Sequence, residues 1–257
     1  MTEFKGILGK YKIIETEDKT ETVWSEYFNE ACHNLSGAYE ETIHNYILGC
    51  SIPDLIARKK GFAVLDVGFG VGIGLKALMD RMAQASIKQN VNYYSIELDE
   101  ELLQWSLNKT LPGLSLERKV LAGNNLICYR GTWNEHLKIQ IFVGDGRVTL
   151  PLAHASKLIS PIDAIFQDAF SPKKNPTLWS TEWFLFLKDI SAPNVQLATY
   201  SSSISIRKSL IGAGWSIENA RGFALKRTMT RANLTGTTSP ELILQLSRSP
   251  SLEIKDK

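Results

Sequence analysis

From Gly61 onward, short apolar runs alternate with longer amphipathic stretches, and few folds satisfy that pattern. A strand apolar on both faces must be covered on both, and helices supply the cover, so the alternation predicts βα units around an open, largely parallel sheet. The predicted strands are 62–67, 91–97, 139–143, 162–167 and 195–200, then 215–219 and 242–246. Helices are predicted between them at 75–85, 100–108, 148–158, 181–190 and 204–213, the last closed by Gly212 and Gly214. The two-strand finish makes the sheet mostly parallel with a final antiparallel strand. Residues 1–58 fall outside the pattern and read as an N-terminal extension packing on the core, with a helix over 40–48 ended by Gly49 and Pro53. Residues 59–257 read as the domain itself.

The chain has 257 residues, 44% apolar and 22% charged, enough for a core that needs no disulfide or metal staple. Cys32, Cys50 and Cys128 are odd in number and lack CxxC spacing, which argues against a disulfide framework or zinc ribbon and for a reducing, cytoplasmic setting. His33, His44, His136 and His154 show no ligand spacing, so no metal is expected. No apolar run approaches the ~18 residues of a membrane span, and MTEFKGILGKYK has no long apolar leader segment; a soluble intracellular protein is expected. The net charge of +2 hides an asymmetry. Residues 1–60 carry 7 Lys/Arg against 10 Asp/Glu, and residues 201–257 carry 9 against 4. A basic C-terminal quarter is a candidate footprint for phosphates, or an ordinary solvated face.

The acids of the predicted strands fall in a telling place. Asp66 lies near the end of the first, Glu97 ends the second, and Asp145 and Asp168 follow the third and fourth. Ligands of open α/β sheets bind outside the carboxyl ends of the strands, so four carboxylates converge on one rim. One such acid could be a helix cap; four in succession point to a ligand.

Between the first strand and helix runs Asp66-Val67-Gly68-Phe69-Gly70-Val71-Gly72-Ile73-Gly74. The glycines let backbone approach a ligand closely. Their G-x-G-x-G-x-G spacing is not the dinucleotide G-x-G-x-x-G, and no G-K-[ST] follows, so this is not a P-loop. Asp66 suits a ligand ammonium better than a pyrophosphate, and Glu97 is positioned to accept from two ribose hydroxyls. A nucleoside with a cationic amino-acid tail fits this rim, which is S-adenosylmethionine. Gly68, Phe69, Gly70, Gly72, Asp66, Glu97, Asp145 and Gly146 are its expected contacts.

The fourth strand leads into Asp168-Ala-Phe170-Ser-Pro172-Lys173-Lys174-Asn-Pro176-Thr-Leu-Trp179. The prolines pre-shape this loop, Phe170 and Trp179 offer stacking faces, and Lys173 and Lys174 offer phosphate contacts. With Tyr27-Phe28-Asn29, Glu40-Glu41-Thr42, Gly144-Asp145, Ala198-Thr199-Tyr200-Ser201 and Gly222-Phe223-x-x-Lys226-Arg227-x-Met229, the chain resembles the methyltransferase part of the tRNA 5-methylaminomethyl-2-thiouridine biosynthesis family. The matching pieces run in order across residues 23–231. The strand-1 acid is often Glu in that family and is Asp66 here, and the residue after the loop acid is often Gly and is Ala169 here.

The resemblance implies a Rossmann-like class I S-adenosylmethionine-dependent methyltransferase that converts 5-aminomethyl-(2-thio)uridine to 5-methylaminomethyl-(2-thio)uridine at the tRNA wobble position. It assigns Asp168 to the acceptor amine and adds Glu41 and Thr42 to the cofactor side. It also implies a tRNA anticodon stem-loop as partner. By their positions after the fifth strand and between the last two, Arg207, Lys208, Lys226 and Arg227 are expected to join Lys173 and Lys174 along its phosphates, unless Lys226 and Arg227 pair with acids of the core. The family's fused FAD-dependent oxidase has no counterpart expected in this length. Alternatives are a methyltransferase of another amine, an aminopropyl transferase using the decarboxylated cofactor, and a non-catalytic tRNA-binding relative.

Overall fold

The computed structural model describes residues 2–85, 89–121 and 125–256. The predicted βα alternation is realised. β1 (Glu3–Gly6), β2 (Gly9–Glu15), β3 (Glu21–Ser25) and β4 (Glu30–Ala31) form a small antiparallel sheet. Next come α1 (Ala38–Thr42), a π-helical turn (Ile43–Leu48) and α2 (Ile52–Arg58). The main body follows: β5 (Gly61–Val67), α3 (Ile73–Gln84), β6 (Asn90–Glu97), α4 (Glu100–Lys109), β7 (Glu117–Leu121), β8 (Leu126–Trp133) and β9 (Leu137–Val143). It continues with α5 (Gly146–Ala155), β10 (Ile162–Gln167), α6 (Thr181–Asp189), β11 (Ser191–Thr199), α7 (Ile204–Gly212), β12 (Ser216–Arg221), β13 (Thr228–Asn233) and α8 (Pro240–Ser247).

Among the described residues the main sheet runs β12-β13-β11-β10-β5-β6-β9-β8-β7. β11, β10, β5, β6 and β9 pair in parallel, and β13 pairs antiparallel to both β11 and β12. Successive residues of β5 face opposite layers: Phe62 and Val64 join the core under α3, α4 and residues 46–56, while Ala63, Leu65 and Val67 join the core under α5–α8. The chain leaves β5 toward β6 and later returns to β10 on its other side. That reversal opens a crevice between β5 and β10 at their carboxyl ends, where such sheets bind ligands.

Two predicted features differ, and one hairpin and one small sheet were not predicted. Residues 242–246 form a helix, not a strand: Ser239 accepts from Leu242 N at 3.3 Å, Pro240 occupies the first turn, and Leu242 and Leu246 are the buried pair one turn apart. The capping signal outweighs the apolar run. The closing antiparallel strand is β13, whose sequence TMTRAN carries no apolar run; Met229, Thr230 and Ala232 are buried, with strands paired on both sides. The β7–β8 hairpin and the four-stranded N-terminal sheet were also not legible as strands.

Residues 2–58 are tied to the glycine turn. Tyr11, Val23 and Ala38 pack with Val71, Ile73 and Leu102, the Tyr11 hydroxyl donates to Asp99 at 3.0 Å, and Phe4 stacks on Trp105 with centroids 5.3 Å apart. No helix among the described residues is long and apolar enough to cross a membrane.

Candidate active site

Backbone hydrogen bonds draw four strand ends together, those of β5, β6, β9 and β10. Phe69 N donates to Ile96 O at 2.9 Å, Gly144 N to Glu97 O at 2.8 Å, and Asp168 N to Val67 O at 3.1 Å. Gly68 is the pivot: its φ is 103°, and a Cβ there would stand 3.0 Å from the Asp168 carbonyl oxygen. Only glycine lets the two loops come this close. Gly70, at φ 54°, donates its N–H to Glu97 Oε2 at 2.9 Å.

The ends of these strands enclose a cavity of about 540 Å³, in the range of small-molecule sites. Gly68, Phe69, Gly70, Glu97, Asp145, Gly146 and Asp168 line it, as do Glu41, Phe170, Lys174 and Lys226. Glu97 accepts from Gly70 N and from Asp99 N (2.9 Å), one bond on each carboxylate oxygen, and burial pushes its pKa up to about 7. Each oxygen keeps a lone pair for a further donor. Asp145 both lines the cavity and caps α5, accepting from Arg147 N at 2.9 Å.

Asp168 lines the same cavity at the end of β10. The Tyr46 hydroxyl donates to its Oδ1 at 2.5 Å, while burial and the charges of Asp66 and Glu41 hold its pKa well above the usual carboxylate range. Tyr46 comes from the π-helical turn that follows α1, five residues after Glu41. Glu41 accepts from Asn34 N (3.0 Å) and pairs with Lys226 Nζ (3.3 Å), and that ammonium lies 4.9 Å above the Tyr200 ring.

The remaining wall comes from residues 27–35 of the N-terminal extension, with Cys32 among them. Phe28 stacks on Phe170 (centroids 4.1 Å, 20°), and Ser171 Oγ donates to Glu30 at 2.9 Å, latching this wall to the Asp168 loop. Tyr46, Tyr200 and the 27–35 wall are the residues that sequence reasoning did not assign. Tyr27-Phe28 and Tyr200 lay inside quoted motifs, but Tyr46 carried no signal, because nothing in the sequence announces a π turn.

Several expected contacts stand elsewhere. Asp66 lies beneath the glycine turn and off the cavity wall: it is buried, accepts from the Tyr93 hydroxyl at 2.5 Å, and fills the space where a Cβ of Gly74 would stand. Gly72 starts α3 against Phe69 and Leu111, and Thr42 is buried off the wall. Trp179 is not a stacking face: it is 0% exposed and donates its indole N–H to Phe170 O at 2.8 Å. Arg207 is 4% exposed and holds Thr230 (2.9 Å) and the Met229 carbonyl, so it braces β13. Lys208 donates to the carbonyls of Ser249 (3.0 Å) and Ser251 (2.7 Å). Lys226 turns inward onto Glu41. The six-cation phosphate track therefore breaks up: Lys173, Lys174 and Arg227 are exposed, and Lys226, though exposed as well, has its charge paired with Glu41.

A family model described as an S-adenosyl-L-methionine-dependent methyltransferase matches residues 118–235. The tRNA 5-methylaminomethyl-2-thiouridine biosynthesis bifunctional protein MnmC of Aromatoleum aromaticum is 31% identical over 220 residues, 82% of this chain and 33% of that protein. The MnmC of an Azoarcus species is 28% identical over 225 residues, 84% of this chain and 34% of that protein. The chain thus spans about a third of the length of the curated relatives it matches. The crystal structure of MNMC2 from Aquifex aeolicus superposes with a TM-score of 0.76 at 25% identity, covering 96% of this chain and 79% of that one.

Proposed function

From the premise that the chain carries an S-adenosyl-L-methionine-dependent methyltransferase domain and is homologous to the methyltransferase portion of MnmC, we propose that it methylates the primary amine of a 5-aminomethyl-(2-thio)uridine at the tRNA wobble position. The observation that carries this reading is Asp168, held by Tyr46 in the same cavity as the Glu97 carboxylate. In this reading residues 59–257 form the catalytic domain, residues 1–58 complete its wall, and the reaction is cytoplasmic.

The residues fit the cofactor. Gly68 and Gly70 provide an open backbone edge, Glu97 a carboxylate with a free lone pair on each oxygen for two ribose hydroxyls, and Asp145 an acceptor for an exocyclic amine. Three buried carboxylates (Glu41, Asp66, Glu97) and the half-buried Asp168, in and beneath the cavity, favour a cationic ligand. When bound, S-adenosylmethionine supplies a methyl group on a sulfonium, electrophilic without further activation.

The protein's own work is alignment and proton handling. An amine is mostly protonated at neutral pH and has no lone pair to offer. Asp168, once ionised beside a cationic ligand, accepts a hydrogen bond from the ammonium and takes up the proton that the nitrogen must lose. Tyr46 secures one oxygen so that the other faces the amine. Lys226, neutralised by Glu41, adds no net repulsion.

The test is methyl incorporation from labelled cofactor into undermodified tRNA, set against polyamines and bulk protein, with nucleoside mass analysis of the product. Label in 5-methylaminomethyluridine is expected. Label in a polyamine or a protein, with none in tRNA, would replace this reading by methyl transfer to another amine.

A further inference from the structure

Resting on the tRNA reading above, we propose that the ring of Tyr27 is the platform on which an unpaired base of the RNA stacks at the cavity mouth. Tyr27 lines the cavity yet is 61% exposed, an unusual state for a large aromatic beside a buried site. The two rings that the sequence offered for this role are less available. Phe170 has a face covered by Phe28, and Trp179 is fully buried.

The turn that carries Tyr27 is built rigidly. Phe28 N donates to Ser25 Oγ and Asn29 N to Glu26 O, both at 3.3 Å, and Asn29 takes the left-handed conformation at φ 50°. Phe28 anchors the turn from beneath, edge-on to Tyr27 with centroids 4.9 Å apart. A ring held this way loses little freedom when a ligand stacks on it.

The surroundings select the partner. Leu35 on the same wall is 54% exposed, and Leu225, next to the cavity-lining Lys226, is 98% exposed. Lys173 and Lys174 stand exposed on the Asp168 loop. Apolar faces interleaved with cations suit a single strand, whose bases offer π-faces and whose backbone offers phosphates. A duplex keeps its bases stacked and has no free face to give.

The experiment measures Michaelis constants for undermodified tRNA with the wild type, Tyr27→Ala and Tyr27→Phe, together with cofactor affinity by calorimetry and melting temperature for each. Tyr27→Ala is expected to raise KM for tRNA about 10-fold or more, with the loss carried by KM rather than kcat. Tyr27→Phe retains the ring and is expected to keep the wild-type KM. Cofactor affinity and melting temperature are expected to stay unchanged in both. An unchanged KM in Tyr27→Ala overturns the platform, and so does an equal rise in Tyr27→Phe, which would assign the effect to the hydroxyl. Loss of cofactor affinity also overturns it, by making Tyr27 a cofactor wall. If the wild type methylates no tRNA, the reading it rests on fails first; tRNA methylation with an unmoved KM rejects the platform alone.

Discussion

The Tyr46 hydroxyl donates to Asp168 Oδ1 at 2.5 Å across 122 residues of sequence. The bond joins the π-helical turn of the N-terminal extension to the loop after β10, and it is made to the group proposed to receive the acceptor proton. A donor to a carboxylate stabilises its charged form and is worth roughly 1.5–3 kcal/mol, about one to two pH units. Tyr46→Phe should therefore keep Asp168 protonated to higher pH and shift the acid limb of the kcat/KM profile upward by about that much. Cofactor affinity should not change. A pH–rate profile of the variant with an unmoved acid limb would uncouple Tyr46 from the reaction.

Asp168→Asn preserves shape and removes the proton acceptor. Positioned acid–base groups contribute typically ~10²–10⁴ in rate. Single-turnover transfer should fall by that order while calorimetric cofactor affinity is retained. Near-normal transfer at saturating tRNA would move the catalytic role to another group.

Glu97→Ala should weaken cofactor binding by roughly 1.5–3 kcal/mol for each charge-assisted bond to a ribose hydroxyl. Calorimetry on Glu97→Ala and on an Asp145→Ala control separates ribose from base contacts. Unchanged affinity in both would move the pocket elsewhere.

Burial raises Asp66 and Glu97 to about 7, from the ordinary range near 4. Between those values the folded chain holds more protons than the unfolded one, so stability falls as pH rises and levels off once both are ionised. His33, lowered by burial to about 4, works oppositely below its unfolded value near 6.5. The window from pH 6.5 to 8 thus reads the raised carboxylates, to whose slope Asp168, also held above the usual range, contributes with the same sign. The ligand-free protein should melt lower at pH 8 than at pH 6.5, and Asp66→Asn should shrink that difference. Saturating cofactor should shrink it too, because a cationic ligand favours the ionised carboxylates. Equal differences in wild type and variant would refute the linkage.

Lys173 and Lys174 are the exposed pair nearest Asp168 in sequence. If they contact phosphates, their double alanine variant should flatten the salt dependence of tRNA binding by roughly 1–2 units of log–log slope. An unchanged slope in a salt titration would remove this loop from the docking face.

The sequence by itself determined the strand–helix alternation, the glycine turn and the acids at the strand ends, because period, punctuation and spacing are local properties. It also placed Glu97, Asp145 and Asp168 on one cavity, since parallel βα units carry their carboxyl ends to the same edge. Tertiary structure decided what each polar group does next. Arg207, Lys208 and Lys226 are cations in any reading, but a phosphate contact requires a free charge. The burial of Arg207 against Thr230, the hold of the Ser249 and Ser251 carbonyls on Lys208 and the pairing of Lys226 with Glu41 are settled only by packing. Asp66 stood in line for the ligand, yet Tyr93 and the start of α3 enclose it beneath the turn. The Tyr46–Asp168 bond and the Phe28–Phe170 stack join segments more than a hundred residues apart, and only the folded chain brings such pairs into contact.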